Sequence, residues 1–396
     1  MLTQRRKDAK GGEDKESARS SFSSSRLCAF ARALCFCLLA LRTNLLFACP
    51  FCTAVGPSFA ERRAESDVVV VAEARGPQSF TLHQVLKGRE VLGELNEMKV
   101  ADDAATWQAG DLAILLGTKS PEWSWDAVPV NETSLAYYAR MPDVAKPWDD
   151  RLRYAAKFLE HADSHIADDV YRQFGRAPFD AVAAAAEAYD FEQVRRWLVD
   201  PQVADERKGF YGLLLGLAKD ETERRANVAL LRDRITTASS EFRAGFDGIL
   251  GGLLWAEGVP ALDLIDARLL RNPQAPEGDV RHAQTALRFY QQYGHDIPAA
   301  RLKQSLALLL DRPGTAAGAI QDFTRRQDWE FVERAAKLFA DSPGDDPTLD
   351  RAVVGYLLVC PQPAATTALK RLREAEPRRV AEAERYLALV GVRGSS

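Results

Sequence analysis

From residue 67 onward the pattern of apolar and polar positions changes character once, and the change divides the chain. Asp67 opens a run of four consecutive valines, Val68 to Val71, that continues to Ala74. β-Branched residues lose side-chain freedom in a helix and pack well on a pleated surface, so this run predicts a strand. Residues 80–86 alternate imperfectly, with Phe80, Leu82 and Gln84 on one side, and Lys87-Gly88 ends the segment. Residues 98–100 make a short strand. Residues 111–116 make a buried one, entered at Gly110 and left at Gly117. Residues 123–130 make a fifth, with Trp123 and Trp125 two apart on one face. A short helix is expected over residues 58–65. Five short strands separated by turn residues predict a small barrel or sandwich.

From Trp148 the strand signals stop. Helical segments of roughly 10–18 residues follow one another, divided by Pro, Gly or Asp. Asp149-Asp150 suit the start of one that runs to Glu160. Asp190-Phe191-Glu192-Gln193 has the capping-box pattern, in which side chains satisfy the free N–H groups of a first turn. Pro201, Pro260, Pro298, Pro347 and Pro363 fall where helix starts are expected. The count is about a dozen helices. The pattern Asp-aromatic-Glu-x-Val-x-Arg occurs at residues 190–196 and again at 328–334, each time after another helix. One helix pair cannot bury its own apolar stripe, so a recurring pair predicts stacked repeats.

Residues 1–26 are polar, basic and Ser-rich, without apolar periodicity. Residues 33–41 are an apolar run between Arg32 and Arg42, and Ala48 precedes Cys49. A basic lead, a short apolar run and a small residue before a cleavage point are the parts of a secretory signal. The run is shorter than the roughly 20 residues a membrane span needs. Charge agrees with the division. The first 48 residues carry nine Lys/Arg and four Asp/Glu, so of the net −4 the remainder holds −9. A chain this acidic is a poor coat for nucleic acid, which requires clustered cations.

Cys49-Pro50-Phe51-Cys52 has the CxxC spacing of glutaredoxin-like redox sites, where a helix start lowers a thiolate pKa. The strand that should precede such a site is here the tail of the signal. In an oxidising compartment Cys49 and Cys52 instead suit a small structural disulfide. Zinc needs two further ligands, and no second CxxC or paired His follows at suitable spacing. Thr53 stands where a c-type haem site needs His. Cys360 reads as a buried thiol. His161 and His165, with Asp163, Asp168 and Asp169 nearby, are weak metal candidates: on one continuous helix the imidazoles would share a face. Trp107, Trp123 and Trp125 read as core or interface residues ahead of a ligand platform. Gly117-Thr118-Lys119-Ser120 lacks the upstream glycine of a phosphate loop, and no nucleophile elbow or GxGxxG is present.

Three resemblances follow from quoted stretches. Leu46-Phe47-Ala48-Cys49 resembles a bacterial lipobox, which implies a lipid on Cys49 and a membrane tether through the new N-terminus. The Cys49/Cys52 start, Ser66-Asp67-Val68-Val69, Val85-Leu86-Lys87-Gly88 and Gly110-Asp111-Leu112-Ala113-Ile114-Leu115 together resemble netrin/TIMP-type modules, which implies an OB-like barrel. The Ala-Cys-Pro-Phe-Cys start, the β-module, Leu159-Glu160-His161-Ala162-Asp163 and the helices behind resemble uncharacterised exported proteins of planctomycete type. That implies fold and export, and no reaction.

The expectation is an α+β chain: an export segment at 1–48, an OB-like β-domain at 49–145, and an all-α HEAT-like solenoid at 148–391. The function expected is that of an exported, non-enzymatic binding or scaffold protein of the periplasm or cell envelope, without a cofactor. Its expected partner is a protein or an envelope polymer. The alternative is a periplasmic thiol–disulfide protein using Cys49 and Cys52.

Overall fold

The computed structural model describes residues 51, 56–101, 107–237 and 243–392. The export segment, Cys49 and Cys52 lie outside the described residues. The fold is α+β: one curled five-strand antiparallel sheet, a half-barrel, and a long series of helices.

The chain enters at a short helix, α1 (Phe59–Glu65). Ser58 caps it in a capping box: the Ser58 hydroxyl accepts from Glu61 N–H at 3.4 Å, and Glu61 returns a bond to Ser58 N–H at 2.9 Å. The sheet follows as β1 (Val68–Gly76), β2 (Ser79–Lys87), β3 (Glu97–Lys99), β4 (Leu112–Lys119) and β5 (Trp123–Val130), with α2 (Arg89–Leu92) between β2 and β3. Strand order is β3-β2-β1-β4-β5, antiparallel throughout, so the valine run is the central strand. β1 and β2 pair with register shifts at three places. Such bulges bend a strand and increase twist, which curls the sheet and accounts for the imperfect alternation of β2.

Both faces of the sheet are covered, which is why β1 is apolar without alternation. Val68, Val70, Ala72, Phe80, Met98, Ala113, Leu115, Trp107 and Trp125 fill the inside of the curl. Val69, Val71, Ile114, Leu116 and Val128 face the helices and join their core. The Lys-Gly pair that ends β2 has a structural use. Lys87 donates to three carbonyls, of Arg63, Ala64 and Ser66, at 2.6–2.9 Å, and so closes the C-terminus of α1. Gly88 has φ +77° and lies against the Asp67 carbonyl, where any Cβ would stand 2.2 Å from that oxygen.

Beyond α3 (Glu132–Arg140), fifteen α-helices follow among the described residues, more than the dozen expected. The excess comes from breaks that leave little mark on hydrophobic periodicity. Gly258 alone, at φ +63°, separates α10 (Phe246–Glu257) from α11 (Val259–Ile265). The segment starting near Asp149 ends as α4 (Trp148–Ala155) plus a 3₁₀ turn, and Glu160 takes φ +49°. Of the five prolines, Pro260, Pro347 and Pro363 lie in first turns and Pro298 is an N-cap. Pro201 instead sits in a turn ahead of α8 (Asp205–Gly216).

The helices α8, α10, α12 (Glu277–Tyr293), α14 (Pro313–Arg325), α16 (Pro347–Val359) and α18 (Pro377–Leu389) pack each on the next and form one layer. α7 (Phe191–Val199) precedes α8, and α9 (Glu221–Thr236), α11, α13 (Ala299–Leu308), α15 (Val332–Asp341) and α17 (Pro363–Ala375) lie between the layer helices in the chain. The unit recurs roughly every 35 residues, a length typical of stacked helix pairs. Ion pairs mark the same period: Arg243 to Asp279 spans 36 residues, Arg288 to Asp322 spans 34, and Arg301 to Asp266 spans 35. Each ties residues of one unit to residues of the next. α18 buries Val380, Ala383 and Leu387, while Tyr386 and Leu389 on it are exposed.

The two copies of the Asp-aromatic-Glu motif both lie where the layer between begins a helix, but only one caps it. Asp190 accepts from Gln193 N–H at 3.0 Å and starts α7. The second helix starts four residues later, at Val332. Phe331 stacks on Phe323 and Trp329 packs on Tyr356, which holds this turn open, and Asp328 pairs with Lys303 at 3.0 Å instead.

Candidate functional site

Among the described residues, two of the clefts on the helical array bear on function. The larger, about 650 Å³, lies among the end of α13, α14, α15 and the start of α16. Leu310, Ala316, Leu338, Pro343 and Leu349 give it an apolar floor. Its rim carries Asp311, Asp341, Asp345 and Asp346 against Arg334 and Lys337. Both cations are spent locally, Arg334 on Asp311 at 2.5 Å and Lys337 on Asp341 at 2.8 Å. Asp346 is the N-cap of α16, accepting from Thr348 and Leu349 N–H at 2.9 and 3.0 Å. Asp345 is exposed and makes no ion pair among the described residues. A second opening of about 360 Å³, with Glu277, Arg312 and Thr315, shares Asp311 and so continues the groove towards α12. The second cleft, about 500 Å³, lies on the opposite run of α14, α16 and α18 and includes Arg325, Arg351 and Tyr386.

The most perturbed ionisable groups are elsewhere, in a sealed junction between α1 and the helices. Asp169, on α5 (Ser164–Arg176), is 3% exposed. It accepts from Phe59 N–H, from Tyr137 O–H at 2.8 Å and from Gln173 Nε2 at 3.1 Å. Burial pushes its pKa up; the three hydrogen bonds oppose that without cancelling it. Burial and the Asp169 charge push the Tyr137 hydroxyl far up, so it remains a donor at any working pH. Arg151 is 4% exposed, stacks on Trp148 at 3.8 Å and leaves Nε and Nη2 unpaired; burial pushes its pKa down. Through these bonds the junction clamps α1 to α3 and α5.

This arrangement makes a pH prediction. A carboxyl with a raised folded pKa binds a proton that the unfolded chain has given up. Its contribution to stability therefore falls as pH rises from the ordinary value of 3.8 through the folded value. Asp169→Asn removes that slope because an amide does not titrate in this range, and Gln173 can turn its unpaired Oε1 towards the new amide. Asp169→Ala strands three donors and lowers stability by about 3 kcal/mol. Urea midpoints of the three proteins between pH 4 and 8 check both; parallel curves for the chain and Asp169→Asn would show that folding does not shift the Asp169 pKa. Glu61 contributes the opposite slope, since Arg176 and Ser58 hold it below its usual value despite burial, but it is common to all three.

The histidines are not brought together on one helix. His161 precedes α5 and accepts from Asp163 N–H at Nδ1, 3.0 Å. Asp163 is the N-cap, and His165 lies in the first turn, exposed. The three nearby acids go three ways: Asp163 caps, Asp168 pairs with Arg207, and Asp169 is buried. Among the described residues no three His, Cys, Asp or Glu side chains gather as a metal site. Trp107 and Trp125 are buried inside the half-barrel, 5% and 7% exposed, and Trp123 stacks on Trp125 at 4.9 Å. Cys360 is a buried free thiol at the end of α16. Among the described residues no helix is long and apolar enough to cross a membrane.

Two features escape a first reading of the sequence. One is Asp169, although its place in register with Ile166, Val170 and Gln173 puts it on the apolar side of α5. The other is a repeated glycine motif, Gly209-Phe210-x-Gly212-x-Leu214 and Gly245-Phe246-x-Gly248-x-Leu250. It brings the backbones of α8 and α10 into direct contact: a Cβ on Gly248 would stand 1.9 Å from the Gly209 carbonyl oxygen, and one on Gly252 2.1 Å from that of Gly212. Phe51, the aromatic of the CxxC, enters beside this crossing. Its ring meets Phe289 at 4.8 Å over the bare face of Gly251. Comparison with protein-family models, with curated proteins and with solved structures returns no match, so the geometry alone carries the functional reading.

Proposed function

We propose that the protein is an exported, non-enzymatic binding protein of the cell envelope, and that its helical array holds a polypeptide segment. The observation that carries this is the groove along α13–α16: an apolar floor with more acids on its rim than cations, and both cations already paired. A segment of alternating apolar and Lys/Arg residues matches both features. The apolar positions bury on the floor and the cations meet Asp345 and its neighbours. Export is supported by the basic lead, the apolar run and Ala48-Cys49, with a lipid on Cys49 as the form of tether. The half-barrel is of OB-like type, supported by its five short strands around one apolar interior. The array is HEAT-like, supported by its two alternating sets of helices and its period.

The test uses the full chain and a labelled peptide of alternating lysine and leucine, with a glutamate–leucine peptide as control. The lysine peptide binds, and Asp345→Lys with Leu338→Glu weakens it by about tenfold or more. Equal binding of both peptides, or an unchanged affinity in the double variant, refutes the groove as the site. The thiol–disulfide alternative rests on Cys49 and Cys52. An insulin-reduction assay with a Cys52→Ser control separates it: a cysteine-dependent rate would establish the enzyme and displace the binding reading.

A further inference from the structure

The second cleft, between α14, α16 and α18, has a chemistry opposite to that of the groove. Its lining holds two guanidiniums, Arg325 and Arg351, and no carboxylate. In a chain whose part beyond residue 48 is net −9, that is a local reversal of sign. Arg351 forms no hydrogen bond or ion pair among the described residues; its guanidinium lies over the Tyr386 ring at 4.0 Å. Glu382 lines a small neighbouring pocket with Arg351 but is not in ion-pair contact with it. Arg325 shares one carboxylate, Asp322, with Arg288, so Asp322 balances only one of the two cations. An arginine left without an acid at the mouth of a cleft is a ready fork for an oxyanion.

The remaining walls are neutral. Gln321, Thr324 and Thr348 supply amide and hydroxyl groups, and Ala352, Gly355 and Leu387 make a shallow floor of small or aliphatic surface. Tyr386 stands at the edge, 43% exposed. A Cβ on Gly355 would rest in ordinary contact with Leu387 at 3.4 Å and fill part of the floor. Neutral hydrogen-bonding groups around an aromatic edge suit sugar hydroxyls and C–H faces. Two cations are too few to hold a nucleic-acid backbone. The volume, about 500 Å³, is that of a small-ligand site.

We propose that this cleft binds a carboxylated sugar, as a residue of an acidic polysaccharide, with its carboxylate on Arg351, its second contact from Arg325, and its hydroxyls on Gln321, Thr324 and Thr348. The inference is independent of the peptide groove, which lies among other residues. It gives the protein a second ligand, of opposite charge to the first.

Calorimetric titration of the full chain with trigalacturonate tests it, alongside the neutral galactose trimer and inorganic phosphate. Trigalacturonate binds, more weakly as salt rises, and at least about tenfold more tightly than the neutral trimer. Arg351→Gln weakens it about tenfold or more and Arg325→Gln by less, with unchanged melting temperatures. Thr348→Asp, which leaves both arginines in place, also abolishes binding by adding a like charge to the ligand. Equal affinity for the neutral trimer overturns the proposal. So does trigalacturonate binding that survives both Arg351→Gln and Thr348→Asp, the absence of any trigalacturonate binding, or binding of inorganic phosphate with none of the sugar acid.

Discussion

Gly248→Ala lowers the stability of the folded chain by about 3–5 kcal/mol, the largest effect expected of any single methyl group here. The added Cβ would stand 1.9 Å from the Gly209 carbonyl oxygen and 2.4 Å from its carbon. A clashing side chain can change rotamer; a helix backbone cannot. α8 and α10 would have to separate along their whole crossing, and Gly212 and Gly252, which meet in the same way one turn on, would lose contact with them. The ordinary gain from alanine in a helix, about 1 kcal/mol over glycine, is small beside this. The measurement is the urea midpoint against Gly76→Ala, where a Cβ meets nothing within 4 Å. Similar midpoints for the two variants would mean that the helices do not cross at their glycines.

Phe51→Ala is expected to cost about 3–5 kcal/mol, the range for removing a buried aromatic ring. Phe51 is 6% exposed and is the first of a chain of rings: Phe289 at 4.8 Å, then Phe179 at 4.9 Å and Trp255 at 6.2 Å from Phe289. The space it occupies exists because Gly251 has no side chain, since a Cβ there would meet Phe51 Cζ at 2.6 Å. Phe51→Leu keeps most of the apolar area and loses the edge-to-face contact with Phe289, so it falls between the two. Thermal melts of the three proteins decide it. A Phe51→Ala protein as stable as the parent would show that the ring is not part of the core, and the CxxC would then be free of the helical array.

These two expectations converge on one place. The CxxC aromatic enters beside the α8–α10 crossing, and the Gly209 Cβ direction points at the Phe51 carbonyl at 3.2 Å. The repeat of Gly-Phe-x-Gly-x-Leu thus serves two ends: close approach of two helices, and room for a segment distant in sequence.

What was legible along the chain was whatever one strand or one helix decides by itself. The five strands were readable because alternation and β-branching are set by neighbours two residues apart, and the valine run fell in the centre of the sheet, as a stretch buried on both faces must. The Ser58 cap and the Asp190 cap involve partners three residues away. The helix period was readable in part, because stacked units repeat their caps and breaks; the second Asp-aromatic motif failed as a cap because Phe331 and Trp329 are held by residues on neighbouring helices.

The amino-acid sequence by itself determined that the chain is α+β, where its strands lie, and that its helices recur. Only the tertiary structure decided which groups meet. Asp169 reads as one of three adjacent acids until Phe59 N–H, 110 residues away, closes on it and burial removes it from water. Arg351 reads as one of 52 cationic side chains until α18 lays Tyr386 under it and leaves it no acid. The physical reason is range: hydrophobic periodicity records which face of an element is dry, whereas charge and hydrogen bonding depend on distances that only the packing of remote elements sets.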